Sequence, residues 1–248
     1  MLSLFSKNKY KKEPCLFYHT DIHSHLCPGI DDGAKDLSTA VELISGLNKL
    51  GITRMIITPH VTDEVFPNNA TTINNAFNQL LNAPIIKQLN IQLSCSAEYR
   101  IDNLLIDQLA TKSVIPLPND YILVENSWIQ EPFNLEGFLY SLQSDYGYRP
   151  ILAHPERYEY YLDDKDRLLK LHNNGVLFQT NLLSLSGRYG KKIKRFAESL
   201  LNDNLVDFIG SDMHHHIHLE EINKYILSKD YAKLLKNRHT IKNDIAFV

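Results

Sequence analysis

The chain has 248 residues, 44% of them hydrophobic, with 10 Gly and 10 Pro, enough apolar material for a sizeable core and too much for wholesale disorder. Its 26 basic and 29 acidic residues leave a net charge of −3, unlike a general nucleic-acid binder. The longest apolar runs, such as Met55-Ile56-Ile57, are too short to cross a bilayer.

In Met1–Glu13 the charges Lys7, Lys9, Lys11 and Lys12 follow Leu2, Leu4 and Phe5, and no long apolar stretch exists, so the segment is not a secretory signal. Residues 1–15 are expected to form a flexible basic segment, at most a weak contact to an anionic surface, and 16–248 a single domain. The three Cys (Cys15, Cys27, Cys95) make no CxxC pair, which suits a reducing, cytoplasmic setting. Asp21, Gly33 and Ile101 stand six positions after them, where a cysteine phosphatase needs an Arg, so that class is excluded.

From Leu16 onward, short β-rich runs alternate with helical patterns. The runs are Leu16–Ile22, Ile52–Thr58, Ile91–Ala97, Tyr121–Val124, Pro150–Ala153, Val176–Thr180 and Leu205–Gly210. Most are nearly continuous apolar segments, as in strands covered on both faces. Helices are expected over Asp36–Leu50, Asn134–Tyr146, Lys165–Asn173 and Lys191–Asn202, with a less regular one over Asn74–Leu89 and a helical tail from Leu219. Gly51, Gly147 and Gly175 stand just past three of the ends. Seven strands alternating with helices imply a parallel sheet. A distorted seven-stranded (β/α) barrel fits the count, and an open doubly wound sheet is the competing architecture.

In such barrels the site forms at the C-terminal strand ends. Those ends carry His23 and His25, His60, Glu98, Glu125, His154, Asn181, and Asp212 with His214. Alternation places His23 and His25 on one side, and likewise Asp212 and His214. Imidazole and carboxylate are ligands for Zn, Mn and Fe, and a set this large suits more than one ion. Gly29-Ile30-Asp31-Asp32-Gly33 reads as a turn or as a loop folding one Asp over the cluster; chemistry alone does not separate Asp31 from Asp32. Phosphate-binding Gly loops and a GxSxG elbow are absent. Asp164-Lys165-Asp166 reads as a helix cap.

His23-Ser24-His25, Pro28-Gly29-Ile30-Asp31-Asp32-Gly33, Thr58-Pro59-His60, Ala97-Glu98, His154-Pro155-Glu156-Arg157-Tyr158 and Ser211-Asp212-Met213-His214 together resemble the PHP superfamily. Within it they resemble the bacterial metal-dependent protein-tyrosine phosphatases of capsule and exopolysaccharide operons. The resemblance runs from about Thr20 to His214. It implies a distorted seven-stranded barrel with three divalent ions, commonly Mn²⁺, with Fe or Zn as alternatives. Carried onto matching positions, it implies one ion on His23, His25, Glu98 and Asp212. Glu98 would bridge to a second on Glu125 and His154, Asp32, His60 and His214 would hold the third, and Arg157 would bind phosphate. Relatives commonly carry an Arg after the Asp-x-His; His215, His216, Ile217 and His218 stand here. Either those His or Arg188 takes over the contact, or the grip is weaker. Asn68-Asn69 also departs from the pattern.

Three ions would outweigh the four carboxylates and leave a pocket that attracts a phosphate dianion. The expected activity is hydrolysis of phosphotyrosine on a protein, with a membrane-bound bacterial tyrosine kinase as the implied partner. The rivals are a small-molecule phosphoesterase, such as one for histidinol phosphate, and a metal-bound regulator of the kinase without turnover. Phe66, Trp128, Phe133, Tyr158, Tyr160 and Tyr161 are candidates to flank a phenyl ring; at least half are expected to pack the loops instead.

Overall fold

The computed structural model describes residues 15–236 and 240–247, so the basic segment expected at 1–15 lies outside the described residues, save for the exposed Cys15. All seven expected runs contain strand. The strands are β1 (Thr20–Asp21), β2 (Arg54–Ile57), β3 (His60–Val61), β4 (Gln92–Cys95), β5 (Glu98–Arg100), β6 (Tyr121–Glu125), β7 (Arg149–Ala153), β8 (Leu177–Asn181) and β9 (Phe208–Gly210). Beyond the second and third runs a further short strand follows, β3 after the break at Thr58-Pro59 and β5 after the break at Ser96-Ala97. Pro59 lacks the N–H that an unbroken ladder requires. Pairing between these strands is parallel, in the orders β1-β2-β4 and β3-β5-β6-β7-β8-β9. Because β2 pairs with β4 and β3 with β5, the second ladder continues the first across the two breaks.

The result is a parallel sheet curled into a half-barrel whose edges approach each other. Beyond β1 and β9, Ser24 bridges Met213 in parallel, and the Asp212 N–H donates to His23 O at 2.9 Å. At the opposite end Asn243 links the two edges. Its amide donates to Thr20 O (2.8 Å) and Ile209 O (2.7 Å) and accepts from Ile209 N–H (2.9 Å).

The helices are α1 (Leu37–Lys49), α2 (Ala70–Leu81), α3 (Asn103–Ala110), α4 (Leu135–Ser144), α5 (Lys165–Asn173), α6 (Leu182–Ser186), α7 (Lys191–Asn202), α8 (His216–Ile226) and α9 (Lys229–Lys236). The Asp36 carboxylate accepts from Thr39 N–H to start α1, which buries Ala40, Val41, Leu43, Ile44 and Leu47 against the sheet, roughly 1.5–3 kcal/mol per large side chain. Asp164 caps α5 in the same way. Two expectations shift. The irregular helix starts at Ala70 rather than Asn74, because Asn69 and Thr72 form a reciprocal cap. Its interruption at Pro84 is as the sequence suggests, since proline biases its predecessor away from helix: α2 ends at Leu81 and a single 3₁₀ turn follows over Ile86–Gln88. The tail helix begins at His216, and α3 and α6 were not read from the pattern.

The continuous apolar runs have a structural cause. Ile122 and Val124 of β6 pack on the helical side, whereas Tyr121 and Leu123 join Ile22, Ile151 and Phe208 in a separate interior cluster. Tyr121, Leu123 and Glu125 share one face, so the interior changes from apolar to carboxylate at the end of β6.

Candidate metal centre

His23 and His25 follow β1 with both rings fully buried and their Nε2 atoms 3.2 Å apart. His23 Nδ1 donates to Gln179 Oε1 (2.6 Å) and His25 Nδ1 to Asp31 Oδ2 (2.9 Å), the hydrogen bonds that free the other ring nitrogen as a ligand. Asp31 also accepts from His60 N–H and Gly33 N–H. Asp31 therefore orients the cluster from behind, and the exposed Asp32 faces it. A Cβ on Gly33 would lie 2.0 Å from His25 O, so only glycine lets this loop close on the histidines.

Four groups of potential ligand atoms lie within 4.8 Å of one another: His25, Asp32, His60, His214; His23, His25, Asp212; His23, Glu98, His154; and His60, Glu98, Glu125. All nine expected ligands belong to this contiguous set. Glu98 is central. Its Oε2 lies 3.2 Å from His23 Nε2, 3.4 Å from His25 Nε2 and 3.1 Å from His60 Nδ1, and its Oε1 3.0 Å from His154 Nε2. Buried Glu98 Oε2, Glu125 Oε2, His60 Nδ1 and His154 Nδ1 have no hydrogen-bond partner. Such orphaned donor atoms are costly in a protein interior, and oxygen and nitrogen lone pairs converging in this way fit divalent cations.

The electrostatics agree with that chemistry. Burial opposes charge on His23, but Glu98 and Asp212 push it up to about 9. Burial also works against Glu98 and Asp212, yet the neighbouring imidazoles hold both well below the carboxylate range. Burial and the Glu98 charge push Glu125 up to about 7, and burial takes His154 down to about 4. The carboxylates thus draw compensating positive charge into a buried site. His154 (φ 36°) and Asp212 (φ 49°) hold left-handed backbone, strained for non-glycine residues and common at functional sites.

Arg157 turns into the site. It donates to Asp212 Oδ2 at 2.9 Å, and its guanidinium lies 4.7 Å from the Trp128 ring and 4.3 Å from the Tyr189 ring. Neighbouring Glu156 is fully buried and accepts from Ser184 Oγ and Asn181 N–H, so it does not draw Arg157 outward. Asn181 in turn donates to Asp212 Oδ2 (2.6 Å), and Arg100 donates to Glu125 Oε1 (2.9 Å).

An open cavity of about 740 Å³ reaches Asp32, His60, Glu98, Glu125, His154 and Arg157. Of the expected aromatics, Phe66 and Trp128 line it, stacked on His60 and His154 respectively. Tyr158 and Tyr161 are buried, Tyr160 packs on the core, and Phe133 is exposed outside the cavity lining. Tyr189, which sequence reasoning missed, lines the cavity instead; no periodic signal marks it. Gln179 and Arg100 were also missed, although each sits two residues from a strand-end candidate and so on its face. His215, His218 and Arg188 line the cavity, with Arg188 paired to Glu221 at 2.7 Å. Asn68 is structural, joining Ile30 O to His60 O.

The profile of a family described as "Capsular polysaccharide synthesis, CpsB/CapC" matches residues 19–244. The chain is 33% identical over 221 residues to the tyrosine-protein phosphatase YwqE of Bacillus subtilis, covering 87% of this chain and 86% of that one. It is 28% identical to the tyrosine-protein phosphatase CpsB of Streptococcus agalactiae, covering 90% and 95%. Among solved structures, one from work on YwqE of Bacillus subtilis and CpsB of Streptococcus pneumoniae, described as metal-dependent tyrosine phosphatases, superposes with a TM-score of 0.75 at 32% identity, over 90% of this chain and 96% of that one. A histidinol phosphate phosphatase from Lactococcus lactis, solved with zinc, L-histidinol and phosphate, shares the fold at a TM-score of 0.55 and 14% identity, over 84% and 92%.

Proposed function

The chain belongs to the CpsB/CapC family, and on that premise we propose that it is a metal-dependent protein-tyrosine phosphatase acting in the cytoplasm on a membrane-bound tyrosine kinase of polysaccharide synthesis. The observation that carries this reading is the convergence of nine ligand side chains, several with unpartnered buried donor atoms, beside an inward-turned arginine in an open cavity. We read the curled sheet as a distorted seven-stranded barrel with the centre at its C-terminal rim. His23, His25, Glu98 and Asp212 would hold one ion, Glu98, Glu125 and His154 a second, and Asp32, His60 and His214 a third. The two Glu98 oxygens, each against different imidazoles, support its bridging role. Mn²⁺ suits this nitrogen and oxygen set, and Fe or Zn would also be accepted.

Bound divalent ions supply activation of water and neutralisation of phosphate charge. The protein's own groups do the rest. Arg157 is held against two rings and offers its remaining N–H donors to phosphate oxygens, a preorganised geometry that strengthens as charge redistributes in the transition state. Asn181 and Arg157 share Asp212 Oδ2 and keep that carboxylate oriented. Phe66 and Trp128 wall the entrance, where an aryl ring gains roughly 0.5–1.5 kcal/mol beyond burial.

Elemental analysis combined with turnover tests the reading. Purified protein is expected to carry divalent metal, to lose phosphotyrosine hydrolysis on chelation, and to regain it with Mn²⁺. Full activity without metal, or a clear preference for histidinol phosphate over a phosphotyrosine peptide, would overturn it.

A further inference from the structure

Cys27 and Cys95 are 68 residues apart in the chain, yet their sulfur atoms lie 3.6 Å apart. Cys27 is fully buried in the loop that leaves His25, and that loop is closed by Gly29 N–H to Ala34 O and Ala34 N–H to His25 O. Cys95 is the last residue of β4 and partly exposed. The pair sits on the two segments that lead into the metal centre. His25 is two residues from Cys27, Glu98 is three from Cys95, and His25 Nε2 and Glu98 Oε2 are 3.4 Å apart.

We propose that Cys27 and Cys95 are a redox modification site, forming a reversible disulfide under hydrogen peroxide that weakens metal binding at the neighbouring centre. Cys95, the less buried of the two residues, is the one a peroxide reaches. Its sulfur gives two electrons to the peroxide, whose O–O bond breaks; Cys95 becomes a sulfenic acid and one water leaves. The Cys27 sulfur then forms the S–S bond as the S–O bond breaks, and the departing hydroxyl leaves as a second water with the Cys27 proton. The sulfurs must close from 3.6 Å to about 2.05 Å, drawing the loop after His25 toward the end of β4. A metal centre depends on ligand placement within about 0.2 Å, so a pull on the segments bearing His25, Asp32 and Glu98 disturbs it. Transient disulfides of this kind are the form found in reducing compartments.

This inference rests on the metal-centre reading, and its test separates the two. The full-length protein is treated with hydrogen peroxide, free thiols are alkylated, peptides are mapped, and Mn²⁺ affinity is titrated before and after. The expected result is a cross-linked Cys27–Cys95 peptide pair that dithiothreitol releases, with Mn²⁺ affinity lower by about tenfold while oxidised, the effect of disturbing groups behind metal ligands. Cys15→Ser should respond like the wild type, and Cys95→Ser should keep its affinity under peroxide. Cys27 and Cys95 both remaining alkylatable, Cys95 advancing to a sulfinic acid without cross-link, or a cross-linked protein with unchanged affinity would each overturn the proposal. Failure of the reduced protein to bind Mn²⁺ would instead sink the metal-centre reading.

Discussion

Arg157 is placed by three independent contacts: the Asp212 carboxylate and the rings of Trp128 and Tyr189. A guanidinium constrained in this way loses little freedom on gripping a phosphate, and its planar fork suits two oxygens at once. Arg157→Ala is expected to retain metal and to cost on the order of 10²-fold in kcat/KM, as for loss of one preorganised transition-state donor. Arg157→Lys should recover only part of that. Wild-type kinetics in the alanine variant at unchanged metal content would remove Arg157 from the mechanism. On the proposed reading the nine candidate ligands act as a unit, so His23→Ala is expected to abolish turnover. Circular dichroism must show the fold intact for that result to count. His23 is positioned by Gln179, and Gln179→Leu should lower metal affinity by roughly 10- to 100-fold, the usual effect of losing such a partner; unchanged affinity by titration would contradict that role.

At the level of elements, the segment after β6 is pinned from behind. Asn126 N–H donates to the Tyr158 hydroxyl, Tyr160 donates to Ser127 O, and Glu131 pairs with Arg167 at 2.7 Å. Tyr158 and Tyr160, two of the candidates for flanking a substrate ring, hold the loop that presents Trp128, the packing role expected of at least half of those aromatics. On the far side of the sheet, Asp207 ties the start of β9 to its surroundings, accepting from Phe178 N–H (2.9 Å) and pairing with Lys242 (2.7 Å) and His172 (3.1 Å). Burial works against its charge, yet these partners hold its carboxyl below the ordinary range. A depressed carboxylate stabilises the fold in full above the unfolded value, near pH 3.9, and loses that contribution as pH falls through the lower folded value. Asp207→Asn is therefore expected to cost about 2 kcal/mol at pH 7, with the gap to wild type closing only below about pH 4. Urea midpoints of both proteins across that range check it; a gap independent of pH would show that charge is not the cause.

For the whole molecule, the curl of the sheet brings β1 and β9 together through the Ser24–Met213 bridge above and Asn243 below. That closure carries Asp212 and His214 to His23 and His25 and opens one cavity over them. An opening of about 740 Å³ with Phe66 and Trp128 in its wall admits an aryl phosphate. Phenolate, with a pKa near 10, also leaves more readily than an alkoxide. Phosphotyrosine peptides should therefore be hydrolysed much faster than phosphoserine peptides of the same sequence under saturating Mn²⁺. Equal kcat/KM values would show that the cavity does not select the aryl group.

The sequence by itself determined the parts of this protein that depend on near neighbours. Apolar runs ending in His, Glu or Asp marked the strands and their polar ends, because a two-residue period assigns side chains to faces regardless of what lies opposite. Asp164 was legible as a cap because a cap acts over three residues. Only the tertiary structure decided the relations that depend on distant partners. These include the two sides of Glu98 facing different imidazoles, Asp31 behind His25 while Asp32 faces the cluster, and the inward turn of Arg157 toward a residue 55 positions away. The sorting of loop aromatics and the meeting of Cys27 with Cys95 belong with them. In each case a period or a motif names the face a side chain occupies, but sheet curl and loop closure choose what stands across from it.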